Sequence, residues 1–331
     1  MSDFSVLVTG GAGYIGSHAV LALLDAGWRV VVVDNLVTGF DWAVDPRATL
    51  VRANIEDEAA VRGAIAEHGV GAIMHFAGSV VVPESVTDPL KYYRNNTAAS
   101  RSLIESAVVS GVKHFIFSST AATYGIPEVV PVREDSPKLP INPYGMSKLM
   151  TEAMLADVAA AHPMNYAALR YFNVAGADPQ GRSGQSTAGA THLIKVAVEA
   201  ATGKRGHVSV FGTDFATPDG TGVRDYIHVT DLAAAHVEAL ALLVAKPAES
   251  HTLNAGYGRG YSVLEVLNAV DRVTNVTIER RLEGRRAGDP DALVADNAAI
   301  LAALPWRPKH DDLDGIVRDA LAWERKLAER G

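Results

Sequence analysis

The run Gly10-Gly11-Ala12-Gly13-Tyr14-Ile15-Gly16 constrains this chain more than any other stretch. It lies between the short apolar run Val6-Leu7-Val8, which ends on Thr9, and a helical pattern from Tyr14 to Ala26. Glycines at Gly10, Gly13 and Gly16 permit a tight turn, close approach of the backbone to a diphosphate, and close packing of helix on strand. The diphosphate then meets the positive end of the following helix, at Tyr14 and Ile15. Glycine-rich loops are common, so the weight rests on the next strand. Arg29-Val30-Val31-Val32-Val33 reads as a fully buried strand closing on Asp34, 18 residues past Gly16 and near the ~20 expected for a ribose-binding acid. A carboxylate there accepts from ribose hydroxyls and repels a 2′-phosphate, which favours NAD over NADP. The plain alternative for Asp34 is an aspartate that caps a turn or helix.

Strand-like runs recur near Thr49–Arg52, Ala72–His75, Phe115–Phe117 and Ala167–Arg170, separated by helical stretches at Glu58–His68, Leu90–Ser110 and Tyr144–Ala161. Strands alternating with helices at this spacing predict an α/β fold with a Rossmann-type, doubly wound parallel sheet. Past Gly176 the texture changes: Ala177 to Gly189 reads as a loop or lid. A helix over Leu193–Thr202, a strand over Val208–Phe211, the turn-rich run Gly212–Gly222, a strongly apolar helix over Asp231–Ala245, a strand over Thr277–Arg281 and terminal helices follow. The expected organisation is a NAD-binding unit over 1–176, with 225–250 packing back on it, and a smaller α/β substrate unit over 177–331.

Composition excludes several function classes. There is no cysteine, so disulfides, thiolate nucleophiles, Cys-ligated zinc and iron–sulfur clusters are ruled out. The eleven histidines show no H-E-x-x-H spacing, and no metal is expected. The net charge of -8 without a long like-charge block points away from nucleic acid and from anionic membranes. A strand starting at about Phe4 leaves no room for a signal peptide, no run is apolar enough to span a bilayer, and a cytoplasmic address is expected. The densest basic stretch, Arg280 to Arg286, reads either as a solvated strand end or as a phosphate site.

Chemistry concentrates in Asn142-Pro143-Tyr144-Gly145-Met146-Ser147-Lys148. On a helix, positions i and i+4 share a face, so the phenol and the ammonium sit side by side. A neighbouring cation favours the phenolate, giving a base able to take a proton from a sugar or alcohol hydroxyl. Thr120, upstream, is the candidate hydroxyl partner.

From these residues the chain resembles the extended short-chain dehydrogenases/reductases, and within them the UDP-glucose 4-epimerase family. The carrying segments are TGGAGYIGSH from Thr9, Asp34-Asn35-Leu36, His75-Phe76-Ala77-Gly78, FSSTAATYG from Phe117, PYGMSKL from Pro143, LRYFN from Leu169 and DGTGVRDYIHV from Asp219. The resemblance implies redox epimerisation: Tyr144 removes the proton from a sugar 4-hydroxyl while hydride leaves C4 for NAD+, and the 4-ketose turns over and regains hydride on its other face. It implies that Lys148 holds the nicotinamide ribose and depresses the tyrosine pKa, with Thr120 as a relay. Asn35, Asn54, Ile55, Phe76, Ala77, Gly78, Asn95, Tyr171 and Phe172 would line the cofactor. For the UDP-sugar, Asn173, His192, Leu193, Arg224 and Arg286 would meet the diphosphate, Phe211 the uracil, and Asp289 the sugar hydroxyls. A homodimer through Leu90–Ser110 and Tyr144–Ala161 is implied as well.

Several positions depart from that pattern. Val80 replaces a frequent lysine, Asn54 an aspartate at the adenine, Thr191-His192 a pair of asparagines, and Leu293 the tyrosine that usually restricts the gate to unacetylated hexoses. N-acetylated or pentose UDP-sugars therefore stand as alternatives. Ala121 and Ala122 occupy the positions where dehydratases keep an acid and a base, which excludes dehydration; decarboxylation is excluded less firmly. A non-catalytic nucleotide sensor is disfavoured, because Thr120, Tyr144 and Lys148 occur together. For Arg224 the plain alternative is an ion pair with Asp225 or Asp231.

Overall fold

The computed structural model describes residues 4–286 and 288–330. In chain order the strands are β1 Ser5–Thr9, β2 Arg29–Asp34, β3 Thr49–Arg52, β4 Val70–His75, β5 His114–Thr120, β6 Asn165–Tyr171, β7 Asn173–Ala175, β8 Val208–Phe211, β9 Val223–His228, β10 His251–Ala255, β11 Gly260–Ser262, β12 Arg280–Glu283 and β13 Ala292–Leu293. The α-helices are α1 Tyr14–Asp25, α2 Glu58–His68, α3 Val82–Thr87, α4 Pro89–Tyr92, α5 Ala99–Val109, α6 Pro143–Ala161, α7 Leu193–Ala201, α8 Val229–Ala245, α9 Val263–Thr274, α10 Ala298–Ala303 and α11 Leu313–Ala328.

Seven strands form one parallel sheet in the order β10-β6-β5-β4-β1-β2-β3. The β-branched and apolar runs of β1, β2 and β4 are buried along their length because helices cover both faces. One face packs under α1 and α8, where Val20, Leu23, Leu232 and Leu240 are fully buried; the other carries Val61, Leu103 and Leu155 from α2, α5 and α6. Each such side chain contributes about 1.5–3 kcal/mol by leaving water. Strand order reverses between β1 and β4, and in open α/β sheets the crevice at that point, beyond the carboxyl ends, receives ligands.

The remaining elements build a second, smaller arrangement. β9 pairs with β7, β11 and β13, while β8 pairs with β12 over a separate core of α7, α9 and α11. The expected strand at Thr277–Arg281 starts three residues and ends two residues before the observed β12. Ile278 is buried in the α7–α9 core without pairing, and the register with β8 starts at Arg280, after the Glu279 carbonyl has accepted from the Val208 amide.

The uniform helix expected over Leu90–Ser110 is also interrupted. Tyr93–Ala98 widens into a π-helical turn between α4 and α5. The widening delivers Asn96 to a buried position, where its amide accepts from the Ser79 amide (2.7 Å) and donates to the Ser79 carbonyl (3.0 Å) and to Ser147 Oγ (3.1 Å). Single π turns of this kind mark functional regions. Apolar periodicity could not reveal it, since the turn is held by side-chain bonds to distant residues.

Ala177–Gly189, read as a loop or lid, is irregular but firmly held. Arg182 grips Asp178 (2.8 Å) and Asp25 at the end of α1 (2.7 Å), Ser183 bonds Ser17 (2.6 Å), and Trp323 donates to Ser186 (3.1 Å). It buttresses the glycine-rich helix. No helix among the described residues is long and apolar enough to cross a membrane.

Candidate active site

The glycine turn is shaped by contacts that exclude side chains. Gly10 has φ +70°, and a Cβ there would lie 2.6 Å from the amide nitrogen of Ala77; one on Gly16 would lie 2.1 Å from the carbonyl of Gly10. Helix α1 starts after Gly13 with no side-chain cap, so the amides of Tyr14, Ile15 and Gly16 point free toward the crevice. By contrast α6 is capped by Asn142, which accepts from Gly145 (2.8 Å), with Pro143 in its first turn. Asp34 ends β2 buried beneath the turn. Its carboxylate accepts from the amides of Ala12 (2.9 Å) and Leu36 (2.8 Å), so it braces the loop while keeping lone pairs to spare. The turn-capping role of Asp34 is thus observed, and its spare lone pairs are compatible with the ribose-binding reading. Beside it Asn35 donates to Asn54 (2.8 Å), and Ile55 is buried behind them. These are the features a dinucleotide requires: uncapped amides, a glycine cradle and a strand-end acid.

Across the switch point, Phe76, Ala77 and Gly78 follow β4, and Asn95 donates to Ser79 (3.0 Å). Tyr14 donates its hydroxyl to the carbonyl of Gly176 (2.7 Å), and its ring stands edge-on to His192.

Thr120, Tyr144 and Lys148 converge where β5 ends and α6 begins. Thr120 is buried at its strand end and accepts from the amide of Ala122 (3.2 Å), which leaves its hydroxyl proton free. That hydroxyl opposes the upward push of burial on the Tyr144 phenol, yet the phenol stays above its usual value. The expected cation-depressed phenol is therefore corrected: burial governs Tyr144, while the Lys148 ammonium is turned to the carbonyl of Ser118 (2.9 Å). Lys148 is itself brought down to about 8 by burial, against the opposing charge of Glu152. Tyr171, on β6, bonds Ser118 through their hydroxyls.

On the opposite wall the smaller arrangement supplies Asn173 at the start of β7, Arg224 on β9, Phe211 ending β8, and Leu293 on β13. Arg224 pairs with Asp289 (3.5 Å), not with Asp225 or Asp231, and donates to the carbonyl of Val223 (2.8 Å). Asp225 and Asp231 are buried and accept from Tyr257 and neighbouring amides instead. Of the basic run, Arg280 pairs with Asp271, Arg281 with Glu279 and Arg285 with Asp214. Arg286 stacks 3.7 Å above the Phe211 ring. His192 precedes α7, whose start has no side-chain cap either, and Leu193 is its first residue; burial holds the imidazole below its usual pKa. Leu293 packs with Ala121, Tyr124, Val132 and Phe172, so the gate position sits against the turn that follows Thr120.

The fold also brings together His228, His310 and Asp319, a set that sequence spacing did not reveal. His228 Nδ1 accepts from the amide of Thr230 (3.0 Å), so its Nε2 carries the proton and donates to Asp319 (3.2 Å). That tautomer suits a helix cap and a hydrogen bond, not a metal ligand.

Four polar residues went unread in the sequence: Asn96, Ser119, Glu152 and Arg170. Glu152 lies eight residues after Tyr144 and four after Lys148, a spacing that places all three on one helix face. Arg170 stands inside the segment LRYFN, beside Tyr171 and Phe172, to which the resemblance assigns the cofactor.

The sequence profile of the NAD dependent epimerase/dehydratase family matches residues 6–256. A UDP-glucose 4-epimerase of Azospirillum brasilense is 55% identical over 98% of this chain and 93% of its own length. The crystal structure of UDP-glucose-4-epimerase from Stenotrophomonas maltophila, with bound NAD and formylated UDP-arabinopyranose, superposes with a TM-score of 0.95 at 39% identity, covering 99% of this chain and 100% of that one. The UDP-Glc/GlcNAc 4-epimerase from Campylobacter jejuni gives 0.85 at 45% identity, covering 98% and 99%. With a glycine cradle, a strand-end acid and relatives aligned over nearly its whole length, this chain belongs to the NAD dependent epimerase/dehydratase family, on the branch that its UDP-glucose 4-epimerase relatives occupy.

Proposed function

We propose that the chain interconverts the C4 epimers of a UDP-hexose, UDP-glucose and UDP-galactose foremost, with NAD as resident cofactor. The observation that carries this is the meeting of the buried Thr120 and Lys148 with the half-buried Tyr144 beside the uncapped start of α1, in a chain whose relatives are UDP-glucose 4-epimerases. The C4–H of a hexose is not acidic, so inversion proceeds by oxidation and reduction. NAD+, when bound, takes hydride from C4 and returns it, and its cationic ring favours an ionised phenol. Tyr144 takes the proton of the 4-hydroxyl through Thr120 and gives it back. Lys148 holds its ammonium between the Ser118 carbonyl and the phenol's side of α6, supplying positive charge and a donor for a ribose hydroxyl.

Gly10, Gly13, Tyr14, Ile15 and Gly16 bind the dinucleotide diphosphate through backbone amides, and Asp34 its adenosine ribose, with Asn35, Asn54 and Ile55 at the adenine. Phe76, Ala77, Gly78, Asn95, Tyr171 and Phe172 line the nicotinamide end. Asn173, His192, Leu193, Arg224 and Arg286 neutralise the substrate diphosphate; Phe211 meets the uracil and Asp289 the sugar. In this reading 1–176, with 225–250 returning to it, is the dinucleotide-binding unit, and the rest of 177–331 binds UDP-sugar. Exposed Leu90, Val109 and Met150 on α4, α5 and α6 support a homodimer through those helices, and the protein works in the cytoplasm.

A second substrate reading rests on Leu293. A leucine where a tyrosine would narrow the gate leaves room for an N-acetyl group, and a pentose also fits. The test is a panel of UDP-sugars incubated with purified protein, with chromatographic resolution of the C4 epimers and no added nicotinamide. NAD copurifies and UDP-glucose yields UDP-galactose; protein that binds UDP-sugars but neither contains nor needs NAD would overturn the reading.

A further inference from the structure

Behind Thr120, Tyr144 and Lys148 lies a buried ionic network that the proposed reaction does not use directly. Glu152, on the same helix face, receives a two-pronged bond from Arg170: Nε to Oε1 at 2.9 Å and Nη2 to Oε2 at 2.6 Å. Their side chains are 8% and 4% exposed. Glu152 also accepts from the hydroxyl of Ser119, the residue between the Ser118 carbonyl that holds Lys148 and the proposed relay Thr120. Arg170 continues outward to the Tyr124 hydroxyl (2.9 Å) and the Glu134 carbonyl (3.2 Å), and Tyr124 donates to Asn254 (2.7 Å). In the β5–β6 register Ser119 faces Arg170 and Thr120 faces Tyr171. The network thus clamps Ser118 and Ser119, the residues just before Thr120, to both α6 and β6.

A buried ion pair adds little net stability over apolar residues of equal volume, so stability alone does not account for its place. We infer that Glu152 and Arg170 are positioning residues for the proposed epimerase centre: Glu152 tethers the strand end carrying Thr120 through Ser119 and lends its negative charge to keep Lys148 an ammonium. This rests on the functional reading above.

The other titratable groups around Lys148 do not supply that charge. His75, from β4, is held neutral, near 3, by burial and by Lys148 itself. Tyr171 on β6 is raised by burial and stays neutral, as do Tyr124, pushed up to about 12, and Tyr92; Tyr144 on α6, also raised by burial, ionises only for the proton transfer beside bound cofactor. Glu84, by α4, is committed to Lys91 and Tyr92. Burial pulls Lys148 toward its neutral form, and Glu152 is the group that opposes it.

The experiment compares the holoenzyme with two variants. Glu152→Gln combined with Arg170→Met removes both charges and leaves no unpaired ion to unfold the protein. Ser119→Ala keeps the pair and cuts the tether. The Lys148 titration midpoint is read by carbon-13 NMR of labelled lysine, its signal assigned with Lys148→Met, and kcat and KM for UDP-galactose are followed from pH 6 to 10. In the double variant the Lys148 midpoint and the alkaline limb of kcat both move down by at least about half a pH unit. Ser119→Ala lowers kcat about fivefold, with KM within twofold, and leaves the midpoint in place; Ser119→Thr restores the rate. An unmoved midpoint in the double variant, or undiminished kcat in Ser119→Ala, overturns the inference. A wild-type holoenzyme that shows the Lys148 shift but epimerises no UDP-sugar overturns the functional reading instead.

Discussion

The two walls of the crevice are built by different physics. On the β5–α6 wall the groups behind Thr120 and Tyr144 are buried and bonded within the protein: Ser118 to Tyr171, Ser119 to Glu152, Lys148 to Ser118, Glu152 to Arg170. On the facing wall Phe211, Arg224, Asp289 and Leu293 are only partly covered, and Arg286 lies exposed over Phe211. Low dielectric strengthens each interaction on the first wall and fixes its geometry before substrate arrives. The second wall is solvated, held by stacking and one long ion pair, and suits recognition of a flexible diphosphate. In the proposed reaction, proton chemistry falls to the stiff side and substrate identity to the adaptable one.

The sharpest way to break this contrast is Tyr144→Phe. It lowers kcat by about 10²–10⁴ while copurified NAD stays near wild-type content, since one hydroxyl is lost and the cradle is untouched. A variant with unchanged turnover would move the chemistry elsewhere. Next is Arg170→Met alone, which strands the Glu152 carboxylate inside the protein. The loss is about 3–5 kcal/mol in denaturant unfolding, largely recovered when Glu152→Gln is added. On the other wall, Arg286→Ala raises KM for UDP-galactose roughly tenfold and changes kcat little, as expected for a charge-assisted bond worth about 1.5–3 kcal/mol; a kcat effect as large as that on KM would erase the division of labour. The last test, away from both walls, is of pH stability. His18 and His236 are lowered to about 4, and His75 to about 3, by burial. Groups with depressed folded-state pKa values stabilise fully above their unfolded value near 6.5, and that contribution is lost as pH falls through the folded one. The unfolding free energy therefore drops between pH 6.5 and about 4. His236→Phe, beside Phe76, removes about 1.4 kcal/mol per pH unit from that slope. An unaltered slope would show that His236 does not enter the acid limb.

Much of the architecture is legible one segment at a time. Helix Glu58–His68 and strands Thr49–Arg52 and Val208–Phe211 lie where local pattern puts them, because apolar periodicity and capping residues act within a few positions. The glycine turn with Asp34, and Tyr144 four residues before Lys148, are legible for the same reason. What escaped depends on partners far along the chain. The π turn at Tyr93–Ala98 exists because Asn96 bonds Ser79 and Ser147; the strap at Ala177–Gly189 is rigid because Arg182 reaches Asp25; β12 starts late because Ile278 plugs a core.

The amino-acid order by itself determined that a parallel, doubly wound sheet would present a glycine cradle, a strand-end acid and a Tyr–Lys pair, since each is written in spacings of one or two helical turns or a single loop. Only the tertiary structure decided the environment of those groups. Whether the phenol lies beside a free ammonium or is pushed up by burial, and whether Lys148 finds Glu152 or solvent, depends on the dielectric and partners that packing creates, and neither is a property of neighbouring residues.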